Sequence, residues 1–123
     1  MKKSVLVVDD SATVRKFIAT SLQLQGFRVL TASDGMEALE TMPVEKIDLI
    51  ITDLNMPDMD GFEFIKNLQA TAEYASIPII VLSSITDPEE KKHAYELGAF
   101  SYVEKPFNAE SIQREVKRCI SKN

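Results

Sequence analysis

The sequence predicts an α/β protein built on a doubly wound, five-stranded parallel sheet with helices on both faces. Short runs of β-branched and other apolar residues alternate with longer segments that have the apolar spacing of amphipathic helices. The connections between these segments are short, which is typical of βα units with right-handed crossovers. The predicted order is βαβαβαβαβα, with one domain over residues 1–123.

Three strand candidates are apolar on both faces, as strands in the interior of a parallel sheet are. They are residues 5–8, 49–51 and 77–82. Residues 27–30 and 100–103 are weaker candidates because they include polar side chains. Their composition favours the two edges of the sheet.

Acidic residues predict where several helices begin. A capping box places a second acid three residues after the N-cap residue. Three pairs have this spacing: Asp34 with Glu37, Asp60 with Glu63, and Asp87 with Glu90. Pro88 follows Asp87 at the first helical position, where a missing N–H costs nothing.

Glycines and an apolar stripe define the remaining helix boundaries. Gly26 and Gly98 fall where helices are expected to end, each before a new strand. The last helix is predicted to begin near Asn108. Its buried stripe has helical spacing and consists of Ile112, Val116, Cys119 and Ile120.

Composition and charge exclude several classes of function. The chain has 123 residues, with 14 Lys and Arg against 19 Asp and Glu, and a net charge of −5. An acidic balance disfavours binding to nucleic acid. The sequence has one cysteine, Cys119, so an internal disulfide is excluded and an oxidising compartment is not indicated. No apolar run approaches the length of about 20 residues that spans a membrane. A cytoplasmic protein with no membrane partner is expected.

Chemically active side chains follow four of the predicted strands. Asp9 and Asp10 come after the first strand, Asp53 after the third, Ser83 after the fourth and Lys105 after the fifth. In an open parallel sheet, ligands bind beyond the carboxyl ends of the strands. The sequence therefore predicts that these five side chains share one site.

Three carboxylates, a hydroxyl and an ammonium group suit phosphoryl transfer. Crowded carboxylates need a counter-ion, and their hard oxygens suit Mg²⁺, which takes one or two carboxylates together with water and phosphate. A carboxylate can also act as a nucleophile and form an aspartyl-phosphate. A metal ion and a lysine then supply the charge neutralisation that the transfer requires.

At these residues the chain resembles the receiver domain of two-component response regulators, most closely the stand-alone, chemotaxis (CheY-like) type. The similarity runs from the first strand to the last helix. The matching motifs are Val8-Asp9-Asp10-Ser11, Ile51-Thr52-Asp53-Leu54-Asn55-Met56-Pro57 with Gly61, Val81-Leu82-Ser83, and Lys105-Pro106-Phe107. The resemblance implies the flavodoxin-like strand order 2-1-3-4-5.

The resemblance also implies a role for each acidic residue. Asp53 is the phosphoryl acceptor and takes the group from a phosphohistidine of a sensor histidine kinase. Asp10 binds Mg²⁺ directly and Asp9 largely through water. The carboxylate of Asp53 and the backbone carbonyl of Asn55 are further metal ligands. Asn55 and Ile85 flank the site and influence the access of water.

The remaining implied roles concern the phosphoryl group and a conformational switch. Lys105 pairs with the phosphoryl group, Ser83 donates a hydrogen bond to it, and the peptide bond before Pro106 is cis. Tyr102 is the aromatic residue whose rotamer depends on the position of the Ser83 hydroxyl. Its ring turns inward after phosphorylation. The face made by the fourth helix, fifth strand and fifth helix then changes for a downstream partner. A monomer is expected.

Three other functions are compatible with parts of this sequence. A haloacid-dehalogenase-type phosphohydrolase has a second acid two residues after its nucleophile, and here that position is Asn55. A flavodoxin-like electron carrier needs a Ser-, Thr- and Gly-rich loop after the first strand to bind FMN, which this sequence lacks. A binding module without chemistry would not need the full set of Asp9, Asp10, Asp53, Ser83 and Lys105. The phosphoacceptor switch, which turns over no external substrate, is the leading hypothesis.

Overall fold

The computed structural model describes residues 2–56, 59–84 and 87–121, and within them five strands alternate with five helices. Pro57 and Ile85, which the sequence places beside the site, lie outside these ranges. The strands are β1 (Ser4–Val8), β2 (Arg28–Ala32), β3 (Leu49–Asp53), β4 (Ile79–Ser83) and β5 (Ser101–Glu104). The helices are α1 (Ala12–Gln23), α2 (Gly35–Thr41), α3 (Gly61–Gln69), α4 (Pro88–Glu96) and α5 (Ala109–Ser121).

All strands pair in parallel, in the order β2-β1-β3-β4-β5. This confirms the predicted fold and strand order, with the two more polar strands, β2 and β5, at the edges. β4 begins at Ile79, later than the apolar run suggests. Pro78 has no N–H to donate to a neighbouring strand, and its carbonyl instead accepts a hydrogen bond from the Ile50 amide at 3.1 Å.

Alternate residues of the central strands pack into two separate cores. From β1, Leu6 and Val8 join the core beneath α2, α3 and α4. Val5 and Val7 face the opposite side and join the core beneath α1 and α5. Both faces of β1 are buried, so its residues 5–8 are all apolar, which confirms the doubly wound prediction.

In two of the three predicted pairs, the aspartate caps its helix as expected. The Asp34 carboxylate accepts a hydrogen bond from the Glu37 amide at 2.8 Å, and the Asp60 carboxylate accepts one from the Glu63 amide at 2.9 Å. These side chains satisfy amides that the first turn of a helix leaves without a partner. They fix the start of α2 and of α3.

The third pair differs from the prediction. Asp87 is the N-cap of α4 and Pro88 is its first residue, as expected, but the Asp87 carboxylate accepts its hydrogen bond from the Glu89 amide. The Glu90 side chain turns toward the sheet and bonds Ser83 and Tyr102. The capping-box interpretation of Glu90 is therefore wrong, because buried hydroxyls compete for its carboxylate.

The chain reversals and the last helix follow the sequence prediction. Gly26 and Gly98 adopt φ angles of 90° and 110°, a region that only glycine enters without strain. Ile112, Val116 and Cys119 form the buried stripe of α5, and Ile120, also predicted to be buried, is only partly buried against the same core. Burial raises the pKa of the Cys119 thiol to about 12, so this residue is a small core side chain and not a reactive thiolate. Among the described residues, no helix has the length and apolar character that a bilayer crossing requires.

Candidate functional site

The three acidic residues predicted to share a site do meet at the carboxyl edge of the sheet. Asp9 and Asp10 follow β1, Asp53 is the last residue of β3, and β1 and β3 are neighbours. A carboxylate oxygen from each of the three lies within 4.8 Å of the others. Asp9 is fully buried and Asp53 is 4% exposed, whereas Asp10 faces solvent. The cluster is therefore a partly sealed site with one acidic residue at its mouth.

Backbone groups and an arginine hold Asp9 in place. Its Oδ1 accepts a hydrogen bond from the Ser11 amide at 2.8 Å, just before α1 begins. Its carbonyl oxygen accepts one from Nη1 of Arg15 at 2.6 Å. Arg15 thus ties the first turn of α1 to the end of β1. The sequence gives one sign of this contact, since an arginine six residues after a buried acid is within reach of its backbone.

The Asp53 side chain is fixed from its own strand end. Its Oδ1 accepts hydrogen bonds from the amides of Leu54 at 2.8 Å and Asn55 at 3.3 Å. These bonds select one rotamer of Asp53, in which Oδ2 points toward Lys105. The carboxylate is therefore oriented before any ligand arrives.

Lys105 supplies positive charge to the two buried acids. Its Nζ lies 3.1 Å from Oδ2 of Asp9 and 3.5 Å from Oδ2 of Asp53. Its amide donates to the Ser83 carbonyl at 2.8 Å, which anchors the end of β5 to β4, and the Lys105–Pro106 peptide is cis as expected. Burial alone would lower the pKa of Lys105, but its contacts with Asp9 and Asp53 together raise it. The lysine is charged at neutral pH.

Asp53 is less acidic than an ordinary aspartate. Burial raises the pKa of its carboxyl, and the neighbouring charge of Asp9 raises it further. Lys105 and the two backbone amides oppose this without cancelling it. The ionised site thus contains more negative charge than its surroundings neutralise.

This arrangement fits a divalent cation. The clustered donors are carboxylate oxygens, the hard ligands that Mg²⁺ prefers, and their mutual repulsion favours a cation among them. Asp9, Asp10 and Asp53 are placed to hold it. Asn55 is exposed beside them, and its amide already contacts Asp53.

The Ser83 hydroxyl is directed to a residue that the sequence analysis did not assign to the site. Ser83, fully buried at the end of β4, donates a hydrogen bond to Oε1 of Glu90 at 2.9 Å. The Tyr102 hydroxyl donates to the same oxygen at 3.1 Å. Burial is the main cause that raises the pKa of Tyr102, and the Glu90 carboxylate adds to it. Ser83, Glu90 and Tyr102 therefore form one polar cluster that joins β4, α4 and β5.

Tyr102 lies inward in this structure. The Tyr102 residue is 8% exposed, and its rotation after phosphorylation stays a prediction. Nζ of Lys91 lies 5.8 Å from the ring centroid, and Glu90 fixes the hydroxyl end.

The charge imbalance at Asp53 predicts a stabilising substitution. Because the folded state raises the pKa of Asp53, the fold gains stability from this group below the ordinary aspartate pKa and loses it as pH rises through the folded value. Asp53→Asn removes that cost while keeping an oxygen that accepts from Leu54. We expect Asp53→Asn to raise the melting temperature by a few degrees at pH 7 in EDTA.

Thermal and urea unfolding of wild type and Asp53→Asn at pH 7 and near pH 4 checks this. The difference is expected to shrink in acid, where wild-type Asp53 takes up its proton. Asp34→Asn provides the control, because asparagine caps helices as well as aspartate does. A variant no more stable than wild type at pH 7 would contradict the electrostatic interpretation.

Comparison with known proteins agrees with the geometry. The strand order and two-sided layering define a flavodoxin-like α/β protein. The chain belongs to the response regulator receiver domain family, whose model matches residues 5–117. Members of this family are signalling switches of two-component systems.

The relatives include both chemotaxis proteins and transcriptional regulators. The solved structure of the chemotaxis response regulator CheY4 of Vibrio cholerae is 39% identical, with a TM-score of 0.92 over 97% of this chain and 99% of that one. The alkaline phosphatase synthesis transcriptional regulatory protein PhoP of Bacillus subtilis is 36% identical over all of this chain and 50% of its own length. The KDP operon transcriptional regulatory protein KdpE of Escherichia coli is 35% identical over 98% of this chain and 52% of its own. The chain thus spans about half the length of these curated regulators.

Proposed function

We propose that residues 1–123 form a single receiver domain that acts as a Mg²⁺-dependent phosphorylation switch in the cytoplasm, with Asp53 as the phosphoryl acceptor. The observation that carries this is the meeting of three carboxylates within 4.8 Å, with Nζ of Lys105 3.5 Å from Asp53. Asp53 is oriented by two backbone amides and lies at the carboxyl edge of the sheet. These are the requirements of a positioned carboxylate nucleophile.

The proposed donor is a phosphohistidine on a sensor histidine kinase. A carboxylate oxygen of Asp53 attacks phosphorus, an O–P bond forms, and the P–N bond to histidine breaks. The electron pair of the broken bond stays on that imidazole nitrogen, and because the other ring nitrogen carries a proton, the side chain leaves as neutral histidine. The signal ends by hydrolysis. Water attacks phosphorus, the Asp53 O–P bond breaks, and the products are inorganic phosphate and the Asp53 carboxylate, with a proton passing to solvent.

The other residues neutralise and position charge. Asp9, Asp10, Asp53 and the carbonyl of Asn55 are proposed to hold Mg²⁺, which when bound offsets the charge of the phosphate oxygens. Lys105 then pairs with the phosphoryl group on Asp53, and the Ser83 hydroxyl donates a hydrogen bond to it. The domain catalyses its own phosphorylation and dephosphorylation and is not an enzyme for an external substrate. A phosphohydrolase function is not favoured, because the position of its second catalytic acid is Asn55 in this chain.

The proposed output is a protein partner that reads the face made by α4, β5 and α5. An open groove of about 620 Å³ lies on this face, bordered by Lys91 of α4, Tyr102 of β5 and Arg114 of α5. Tyr102 connects the groove to Ser83 through Glu90. A monomer that binds neither nucleic acid nor membrane is proposed to control chemotaxis or motility, which the likeness to CheY4 over nearly its whole length supports.

Control of transcription is the second candidate for the output. It is supported by the names of PhoP and KdpE, two relatives that are each about twice the length of this chain. In that case the same face would contact a further segment or partner that regulates transcription. The phosphoryl chemistry at Asp53 is the same under both proposals.

Acetyl phosphate tests the phosphoacceptor function without knowledge of the kinase. We expect wild type incubated with acetyl phosphate and Mg²⁺ to gain the mass of one phosphoryl group, and to gain none in EDTA. Asp53→Asn is expected to gain none in either condition, because its amide is not a nucleophile. Intact-mass spectrometry over time measures the adduct.

Asp34→Asn is the matched control, because Asp34 also lies at the carboxyl edge of the sheet but outside the acidic cluster. It is expected to be modified like wild type. If wild type gave no adduct, beryllofluoride binding would be measured in case the phosphoryl group is lost too rapidly. Failure of both, or an adduct that persists in Asp53→Asn, would rule out the proposed mechanism.

A further inference from the structure

Glu90 joins the two residues that the proposed switch depends on. Oε1 of this single carboxylate accepts hydrogen bonds from Oγ of Ser83 at 2.9 Å and from the hydroxyl of Tyr102 at 3.1 Å. Ser83 is fully buried and Tyr102 nearly so, while Glu90 is half-buried. Hydrogen bonds to an ionised acceptor are about twice as strong as neutral ones. The cluster therefore resists the release of either hydroxyl.

A serine hydroxyl has one proton to donate. In the structure the Ser83 hydroxyl lies 2.9 Å from Oε1 of Glu90 as a donor, on the α4 side of β4, and it also has a hydrogen-bond contact with the Tyr102 side chain. If Ser83 is to donate to a phosphoryl group on Asp53, the bond to Glu90 must break first. The carboxylate and the phosphoryl group are thus competing acceptors for the same proton.

Capping does not explain the placement of Glu90. The Asp87 carboxylate caps α4 through the Glu89 amide, and the Glu90 side chain takes no part in that bond. Helix α4 is also weakly packed, since Ala94 is the one residue among its nine that is buried. With so little apolar burial, polar contacts to the sheet contribute much of what positions this helix.

We propose that Glu90 is a positioning residue of the switch, whose carboxylate holds Ser83 and Tyr102 in the unphosphorylated arrangement and must release Ser83 when the phosphoryl group arrives. This rests on the proposed function of Asp53. Release of Ser83 also loosens the first turn of α4, on the face proposed to bind the downstream partner. Glu90 thereby links the state of Asp53 to the position of α4.

Glu90→Gln tests the proposal with little change of shape. The amide oxygen still accepts a hydrogen bond but is uncharged, so Ser83 is held less firmly. With saturating Mg²⁺, we expect Glu90→Gln to bind beryllofluoride about fivefold to tenfold more tightly than wild type, the order that weakening one charge-assisted bond provides. Isothermal titration calorimetry measures the affinity, and urea unfolding verifies that the variant is folded.

Glu89→Gln is the matched control, because Glu89 lies in the same turn, is exposed, and contributes its amide to the cap. It removes the same charge and is expected to bind within twofold of wild type. In a Ser83→Ala background, Glu90→Gln should produce no further gain, because no serine proton remains to be released. Equal effects of the two glutamine variants, or a gain that persists without Ser83, would overturn the proposal.

A spectroscopic measurement checks the contact independently of binding. Burial is the largest cause that raises the pKa of Tyr102, the hydrogen bond with Ser83 lowers it, and the carboxylates of Glu90 and Glu104 raise it further. The Lys91 ammonium lies over the ring. Ultraviolet titration should show Tyr102 ionising at lower pH in Glu90→Gln than in wild type, with Tyr102→Phe identifying the signal. An unchanged titration would overturn the contact. If wild type itself bound no beryllofluoride, the proposed function of Asp53 would be wrong, and the inference about Glu90 would be wrong with it. Binding to wild type without the expected change in Glu90→Gln would overturn only the inference.

Discussion

Lys105→Met is expected to lower the free energy of unfolding by about 2–3 kcal/mol at pH 7 in EDTA, because it leaves two buried carboxylates without their cation. Lys105 contacts Oδ2 of Asp9 at 3.1 Å and Oδ2 of Asp53 at 3.5 Å, and neither acid is appreciably exposed. Removing one partner of a fully buried pair typically costs about 3–5 kcal/mol. The expected value is smaller because the Lys105 side chain is 22% exposed and water reaches the site from that side.

The pH dependence of this loss has a definite sign. The folded state raises the pKa of Lys105, so the stability that it contributes is fully present below its ordinary pKa and lost only as pH rises through the folded value. At neutral pH, Lys105→Met therefore removes the whole stability contribution of the charged lysine. In acid the difference between variant and wild type should shrink, because Asp53 becomes protonated and no longer needs the cation.

Urea unfolding with and without Mg²⁺ separates charge from packing. Methionine keeps the length and flexibility of lysine, so little volume is lost. We expect Mg²⁺ to restore much of the stability of Lys105→Met, and Asp53→Asn to restore part of it in the double variant. Lys16→Met, on the exposed side of α1, is the control and should change stability by less than about 0.5 kcal/mol. A loss that neither Mg²⁺ nor Asp53→Asn reduces would show that the lysine acts through packing.

The sequence predicted the parts of this protein that follow from local chemistry. Strands apolar on both faces predicted a sheet covered on both sides, and Asp34 and Asp60 predicted the starts of two helices. The acids at the strand ends predicted a shared site because the carboxyl ends of parallel strands lie at one edge. Three of these side chains meet there, those of Asp9, Asp53 and Lys105. Asp9 and Lys105 are in contact although 96 positions separate them in the sequence.

The contacts that the sequence did not predict are side-chain choices between competing partners. Glu90 lies three residues after Asp87, the spacing of a capping box. That spacing does not reveal that its carboxylate binds two buried hydroxyls instead of the helix N-terminus. The same limit applies to Arg15, which bonds a backbone carbonyl and not a charged partner. Whether Tyr102 lies inward depends on Glu90 and Lys91, which approach it from α4 only in the folded chain. Such contacts require the tertiary structure.

Gly61 is a position where the sequence motif and the structure together predict a large effect. It is the first residue of α3, and its amide donates to the carbonyl of Leu54 at 2.9 Å. A Cβ at Gly61 would lie 2.4 Å from the carbonyl oxygen of Asp53 and 2.7 Å from Cα of Leu54. Both are backbone atoms beside the proposed acceptor, and they can move only if the end of β3 moves.

Gly61→Ala is therefore expected to lower the free energy of unfolding by about 3 kcal/mol, at the upper end of the usual cost of overpacking. Displacement of the Asp53 backbone should also slow phosphorylation, since a misplacement of about 1 Å can cost on the order of a hundredfold in rate. Urea unfolding and the initial rate of adduct formation with acetyl phosphate measure the two effects. Both are expected to fall together because one displacement causes them.

Gly35→Ala is the matched control, because Gly35 is the first residue of α2 and is also buried. Its added Cβ would lie 2.9 Å from Sδ, 3.1 Å from Cγ and 3.2 Å from Cβ of Met59, and these side-chain atoms can shift by the few tenths of an ångström required without moving the end of β3. We expect Gly35→Ala to cost about 1 kcal/mol or less and to leave the phosphorylation rate within a few-fold of wild type. Similar losses in the two variants would mean that alanine is disfavoured at both helix starts in general. A loss confined to Gly61 ties the glycine to the close approach of α3 and the strand end that positions Asp53.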